Sequence, residues 1–204
     1  MAESSVAVTA GSGTNLHSNT RTIAAATMHD QYVLPGEYAY ASYTAATTAI
    51  SIATASSHVL QLMAGSSLNV RIRRIRIEQS GNATTAAACA FQLFRLSTAG
   101  TGGSSITPAA YDTADAASGA TAQTLPSAKG TETTMLVQTA LVFRQAVGTT
   151  SSQVDDAYEW VQLPNQKPII IPAGTSNGLC VKNISALAGC TATVSIEFVE
   201  TSFV

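Results

Sequence analysis

Apolar and polar residues alternate along much of this chain, most clearly in the stretch LNVRIRRIRIEQ that begins at Leu68. A period of two residues is typical of a β-strand with one buried face. In this stretch the apolar positions are Val70, Ile72, Ile75 and Ile77. The pattern therefore predicts a core strand over residues 68–79, around which the rest of the chain is organised.

The alternation slips by one residue at Arg73–Arg74. Without compensation, such a slip turns every later side chain to the other face of the sheet. A β-bulge takes up one extra residue, so a bulge at this pair keeps Ile75 and Ile77 pointing into the core. All the arginines of the stretch then share the outer face; they are Arg71, Arg73, Arg74 and Arg76.

Similar short apolar or alternating stretches recur along the chain, separated by turns rich in Gly, Pro and Asn. This spacing predicts an antiparallel sandwich or barrel. The further predicted strands are 31–36, 49–53, 59–63, 89–97, 133–146, 157–163, 168–172, 179–184 and 192–200. A short helix is an alternative for 133–146, whose apolar residues also fit a helical stripe. We predict an all-β, antiparallel, jelly-roll-like sandwich as a single domain over residues 31–204.

Two segments lack this pattern. Residues 1–30 are small and polar, and we interpret them as an extended N-terminal arm that lies on a neighbouring subunit; a disordered tail is the alternative. Residues 98–132 are dominated by Gly, Ser, Thr, Ala and Pro. A loop of this length on a β-scaffold is usually functional or disordered, so we expect one long irregular loop that serves as a contact surface.

The composition is unusual, because only 11% of the residues are charged, against about 25% in an ordinary soluble protein. Small uncharged residues replace them, which favours a surface covered by copies of the same chain or by a partner. The net charge of −2 and the lack of a basic cluster in the arm argue against nucleic-acid binding. No apolar run is long enough to span a membrane, and no secretory signal precedes the domain, so we expect assembly in a cytoplasm.

Catalytic and metal-binding motifs are missing from the sequence. The three cysteines have no metal or disulfide spacing, and we expect buried thiols. By strand phase, Cys180 and Cys190 would face opposite sides of a hairpin, which argues against a bridge between them. The three histidines lie far apart. Neither a P-loop nor a nucleophile elbow is present. The acids Asp112 and Asp115, and the cluster Asp155, Asp156 and Glu159, are more typical of solvated loops than of a calcium site. We therefore expect a protein that is not an enzyme and that holds no cofactor or metal.

The arginine row is the strongest chemical feature, and three interpretations compete. It can be a solvated face that protects an edge strand from aggregation. It can pair with acids of an adjacent strand or subunit, for which Asp155, Asp156 and Glu159 form the one acidic cluster. The least favoured interpretation is a grip on phosphate or sulfated glycan. We expect protein docking, since like charges on one strand face need acidic partners nearby.

Several segments together resemble small virion structural proteins of tailed bacteriophages. They are GSGTNLHSNTRTI, HVLQLMAGSSLNVRIRRIRIEQSG, STAGTGGSSITP, LPSAKGTE and PIIIPAGTSNGLCVKNI, followed by FVETSF. The resemblance implies a capsid decoration (cement) protein on the virion surface. Such a protein forms a homo-oligomer, typically a trimer, and binds across junctions of the phage major capsid protein to stabilise the head.

A second function belongs to a different class, namely a receptor- or glycan-binding module of a head or tail fibre. In that case Tyr111, Trp160 and the 98–132 loop would form the binding surface. The sequence favours the decoration protein over the fibre module, because the recognisable motifs are structural.

Overall fold

The computed structural model describes residues 18–23, 26–31, 40–81, 87–143, 157–164 and 166–202. The chain divides into two compact units, Met1–Ala39 and Tyr40–Val204. In the first unit, β1 (Ser18–Ile23) and β2 (Ala26–Gln31) pair as an antiparallel hairpin. This part of the predicted arm thus folds back on itself instead of running extended, because its Thr-rich segments satisfy each other's backbone hydrogen bonds. The predicted strand 31–36 lies outside the described residues beyond Gln31.

The second unit consists of two antiparallel sheets, which confirms the predicted all-β sandwich. In spatial order, the six-stranded sheet contains β11 (Glu132–Phe143), β7 (Ala87–Leu96), β14 (Gly178–Asn183), β5 (His58–Met63), β10 (Thr121–Thr124) and β8 (Ser104–Ile106). The seven-stranded sheet contains β12 (Ala157–Val161), β6 (Asn69–Gln79), β15 (Thr191–Thr201), β3 (Ser42–Ala46) and β9 (Ala109–Ala110), with β13 (Ile169–Ile171) beside β6 and β4 (Ile50–Ser51) beside β15. Since residues 132–143 form a strand, the helical alternative for the predicted segment 133–146 is wrong in its described part.

Strand β6 contains the predicted bulge. Ile72 lies opposite Phe198 and Arg74 lies opposite Glu197, so Arg73 is the extra residue between two matched pairs. Ile75 on the far side of the bulge is 1% exposed, and the arginines are half-buried or exposed. The bulge therefore restores the inward direction of the apolar residues, as the slipped alternation predicts.

The main core lies between the two sheets. Phe91 stacks on Phe143 with ring centroids 6.2 Å apart, and Tyr43 stacks on Phe198 at 5.5 Å. All three cysteines are buried and free, as expected. Cys89 and Cys190 belong to this core, whereas Cys180 belongs to a separate small cluster with Met63 and Leu96. Cys180 and Cys190 thus face opposite sides, which also agrees with the sequence pattern.

The prediction of one irregular loop over residues 98–132 is wrong in part. The segment contains β8, β9 and β10, which extend the edges of both sheets, and its last residue begins β11. Small side chains permit this because they let a backbone approach an existing edge closely. We call the first and the last of the remaining connecting pieces, residues 98–103 and 125–131, the two limbs of the strap. They are tied together by a pair of backbone hydrogen bonds between Thr101 and Ala128, of 2.8 and 3.1 Å.

Candidate interaction surface

Arg74 is the centre of a charged group on the outer face of the seven-stranded sheet. Its guanidinium donates to the carboxylate of Glu159 on β12, and its Nη1 lies 3.4 Å from Glu197 Oε1 on β15. The hydrogen bond to Glu159 is the main cause of the raised pKa of Arg74. The acidic partners expected for the arginines are thus supplied, for Arg74, by the two flanking strands of the same chain.

Tyr111 adds an exposed aromatic ring to this group. Its side chain is 61% exposed, and its phenol interacts with Glu197 and Thr44. Partial burial and the negative charge of Glu197 together raise the pKa of Tyr111. We call the set the charge network; its members are Arg74, Tyr111, Glu159 and Glu197, with Arg76 and Glu78 joined beside them by a 2.8 Å ion pair.

Other residues predicted for the interface lie elsewhere. Arg71 and Arg73 are half-buried on β6, and Asp155 and Asp156 lie outside the described residues. Trp160 lies opposite Ile75 and packs against the core, on the side of β12 that faces inward. The structure therefore does not bring Trp160 and Tyr111 to one surface, because alternation along β12 exposes Glu159 and turns its neighbour inward.

A second exposed surface, on the outer side of the six-stranded sheet, carries small and amide side chains. Ala90 lies opposite Ala140, and Gln92 lies opposite Gln138, whose Oε1 accepts a 2.7 Å hydrogen bond from Gln92 Nε2. We call this surface the β7–β11 face; it consists of Ala88, Ala90, Gln92, Gln138 and Ala140. None of these residues carries a charge, and two exposed apolar side chains adjoin them on β11, Val142 (52% exposed) opposite Ala88 and Met135 (48% exposed).

The strap covers the neighbouring half of the same sheet, and beneath it lies a polar group that the sequence analysis missed. His58 is fully buried, and its Nε2 lies 2.8 Å from Glu132 Oε1. Lys182 Nζ donates to the second carboxylate oxygen of Glu132 at 2.9 Å. Gln61, also fully buried, is hydrogen-bonded to His58 Nδ1. The sequence contains a signal of this group, since His58 and Gln61 are the two polar residues of the otherwise apolar segment HVLQLM. A lone histidine, however, is usually structural.

The pKa values of this group follow from burial and pairing. Burial lowers the pKa of His58, outweighing the opposite effect of Glu132. Burial alone would raise the pKa of Glu132, but hydrogen bonds from His58 and Lys182 lower it. Cys180, which lies opposite Gln61 on β14, has a pKa raised to about 12 by burial. The arrangement is therefore a neutral imidazole beside an ion pair.

A buried carboxylate holds the turn at residues 118–120, between β9 and β10. Glu200 on β15 is 7% exposed and accepts hydrogen bonds from the backbone N–H of Ala120 at 2.7 Å and of Gly119 at 3.1 Å, and from Ser118 Oγ at 2.8 Å. Charge-assisted bonds of this type are stronger than bonds between neutral groups. Glu200 thus fastens this turn to the end of β15.

Two further kinds of feature, a metal-binding cluster and a membrane-spanning helix, are absent from the described residues. Among the described residues, no group of three or more His, Cys, Asp and Glu side chains is arranged to hold a metal ion. The described part of the chain contains no helix that is long and apolar enough to cross a membrane. No protein-family model, curated protein or solved structure matches this chain significantly.

Proposed function

We propose that this chain is a non-enzymatic virion structural protein, a decoration protein that stabilises the head of a tailed bacteriophage. The observation that carries the proposal is the order of the strands. The two sheets read β12-β6-β15-β3 and β11-β7-β14-β5, so the chain alternates between sheets in the manner of two interlocked Greek keys. We infer from this order a jelly roll, an architecture used by viral capsid domains as well as by lectins and cupins.

The surfaces support a structural role within that class. A fold by itself does not identify a function, so the choice depends on the sites it presents. The β7–β11 face suits self-association. Its alanines allow two sheets to pack closely, and none of its five residues carries a charge that would have to be desolvated. A stable interface needs about 800 Å² from each partner, and we propose that Met135 and the adjoining strands supply the area beyond the face itself.

We assign the capsid protein to the opposite side of the sandwich, where the charge network is exposed. Arg74 already has carboxylate partners within the chain, so a bound protein would meet a mixed patch and not a bare positive stripe. Such patches contribute mainly to specificity and to the rate of association. The fibre-module alternative loses support, because Trp160 faces the core and cannot stack on a sugar beside Tyr111.

Capsid binding is tested with heads, stripped of decoration protein, of the phage that carries this gene. Charge reversal of Arg73 and Arg74 to Glu is expected to reduce co-sedimentation of the full chain with these heads while its urea midpoint changes little. Lys167→Glu, at an exposed lysine in the loop after β12, is the matched control and should bind normally. Equal losses of binding and stability, or unchanged binding, would count against the proposal.

Self-association is tested separately. Ala140→Arg places a charge in the centre of the β7–β11 face and should convert the oligomer to a monomer, measured by light scattering coupled to size exclusion. Ala53→Glu, at an exposed alanine between β4 and β5, is the control and should keep the oligomer. A chain that is monomeric without any substitution would rule out this role for the face.

A further inference from the structure

The hydrogen bonds around Gln61 fix the protonation state of His58. The backbone N–H of Gly100 can only donate, and it lies 2.9 Å from Gln61 Oε1. Gln123 Nε2 also donates to this oxygen, at 3.0 Å. The amide nitrogen of Gln61 therefore faces His58 Nδ1, and that nitrogen must accept. His58 is thus the neutral tautomer whose proton sits on Nε2 and is donated to Glu132.

A proton added to His58 breaks this arrangement. Nδ1 then becomes a donor and faces the donor nitrogen of Gln61. A rotated Gln61 amide could accept from the imidazolium, but its nitrogen would then face the N–H of Gly100 and the amide of Gln123. In either orientation buried donors are left without acceptors, which is costly in a desolvated site.

The bonds that are lost are those that hold the strap. Gly100 belongs to the first limb, and Gln123 Nε2 also donates to Gly100 O. A Cβ on Gly100 would lie 2.7 Å from Ala128 O in the second limb and 2.9 Å from Gln61 Nε2, so the two limbs and Gln61 are packed without spare room. The backbone N–H of Leu125 donates to the carbonyl oxygen of His58 at 3.1 Å, which joins the second limb of the strap to β5.

We propose that His58 and Gln61 form an acid-sensitive latch, which holds the strap against the six-stranded sheet when His58 is neutral and releases it when His58 is protonated. This device is independent of the proposed virion role. A cleft lined by Met63, Ser105 and Thr121 lies directly beside Gln61.

The charges facing His58 set the direction of the effect. Burial disfavours the imidazolium most, and the positive charges of Lys129 in the strap and Lys182 on β14 act in the same direction. Glu132 on β11 opposes them, but it is itself paired with Lys182. Since the pKa of His58 is lowered in the closed form and ordinary in the open form, the closed form is favoured above pH 6.5 and weakened below it.

The experiment follows the exchange of the Gly100 amide by NMR in the full chain, corrected for the pH dependence of intrinsic exchange. Between pH 6.5 and the lowered pKa of His58, opening of the strap should increase about tenfold per pH unit. Amides of β15 should keep their protection over this range. Hydrogen bonds from His58 and Lys182 lower the pKa of Glu132, and a His58 variant separates its titration from that of His58.

Three variants make the test decisive. His58→Gln cannot titrate, so Gly100 protection should lose its pH dependence. Glu132→Gln removes the anion that favours the imidazolium in the closed form, so the onset of the transition should stay in place while its acid end moves to lower pH. Glu200→Gln is the matched control; it loosens the turn at Gly119 but should leave the Gly100 transition in place.

The outcomes that would overturn the latch are specific. They are constant Gly100 protection down to the pH of global unfolding, a pH dependence that survives in His58→Gln, or equal shifts in Glu132→Gln and Glu200→Gln. If His58→Gln fails to fold, the imidazole titration of the unaltered protein replaces it. The pH at which Gly100 opening stops increasing must then coincide with the midpoint of that titration, and a mismatch rejects the proposal.

Discussion

The outer faces of the two sheets differ in what covers them. On the seven-stranded sheet, the outer side of β6 is open to solvent and carries the charge network. On the six-stranded sheet, the outer side of β5 is covered by the strap, and all six residues of β5 are buried. The same fold thus contains a strand with one buried face and a strand with two.

This difference explains why the orientation of the side chains could be predicted from the sequence for β6 but not for His58 and Gln61 in β5. A strand with one solvated face must alternate apolar and polar residues, as β6 does around Ile72 and Ile75. A strand buried on both faces has no such requirement, so polar residues in it need specific partners. His58 and Gln61 are such residues, and their partners lie in the strap, β10 and β11. A register shift that leaves Val59 unmatched turns His58 to the same side as Gln61.

Removing the central amide of the covered face should have the largest effect. Gln61→Ala removes the hydrogen-bond partner of the Gly100 N–H and of His58 Nδ1, and one of the two acceptors of the Gln123 amide. We therefore expect a loss of about 2–4 kcal/mol in the free energy of unfolding. Urea denaturation measures this change. Gln166→Ala is the matched control, since Gln166 is exposed in the loop after β12 and away from the proposed interfaces, and it should leave the midpoint nearly unchanged. Similar losses in both variants would contradict the comparison.

The buried thiols sharpen the comparison between the covered face and the core. Burial raises the pKa of Cys180 to about 12 and that of Cys89 to about 11, so each thiol reacts only after it is exposed. Cys180 lies opposite Gln61, the residue that binds the strap, in the small cluster with Met63 and Leu96, whereas Cys89 lies in the main core. Because local opening requires less free energy than global unfolding, Cys180 should be labelled by a thiol reagent about tenfold faster or more.

Single-cysteine variants, with the other cysteines replaced by Ala, allow each labelling rate to be followed by mass spectrometry. Cys190, a second core thiol, should label as slowly as Cys89. Equal rates for all three positions would mean that the strap does not open independently of the sandwich.

Changes in the open charge network should have the smallest effect on stability. Arg74→Ala removes ion pairs that are exposed to solvent and screened by salt, so the urea midpoint should change little. A double-mutant cycle with Glu159→Ala measures the coupling between the two side chains, which should decrease as salt is added. A large, salt-independent coupling would show that the network holds the fold together in the way that Gln61 does.

Much of the fold was predictable from local pattern. The bulge at Arg73, the inward direction of Ile75 and Ile77, and the opposite sides of Cys180 and Cys190 all follow from a period of two. The 98–132 segment was harder, because its short strands β8 and β10 are built from Ser, Thr and Ala, whose composition resembles that of a loop. These residues become strands because an adjacent edge offers them backbone partners.

The candidate site was predictable only in part. The arginines and Glu159 stand out by charge, so the sequence alone points to that face. The sequence did not show that Glu197 also pairs with Arg74, since the two are distant in the chain and meet only through the register of β6 and β15.

By itself, the sequence determined that this protein is a sandwich of alternating strands with few charges, because burial of one sheet face leaves a mark on every second residue. Only the tertiary structure decided which strands are covered on both faces. The latch at His58 joins residues 58, 61, 100, 123, 132 and 182, and no local pattern relates these positions. They are brought together by strand order and by the path of the strap, so their chemistry exists only in the folded chain.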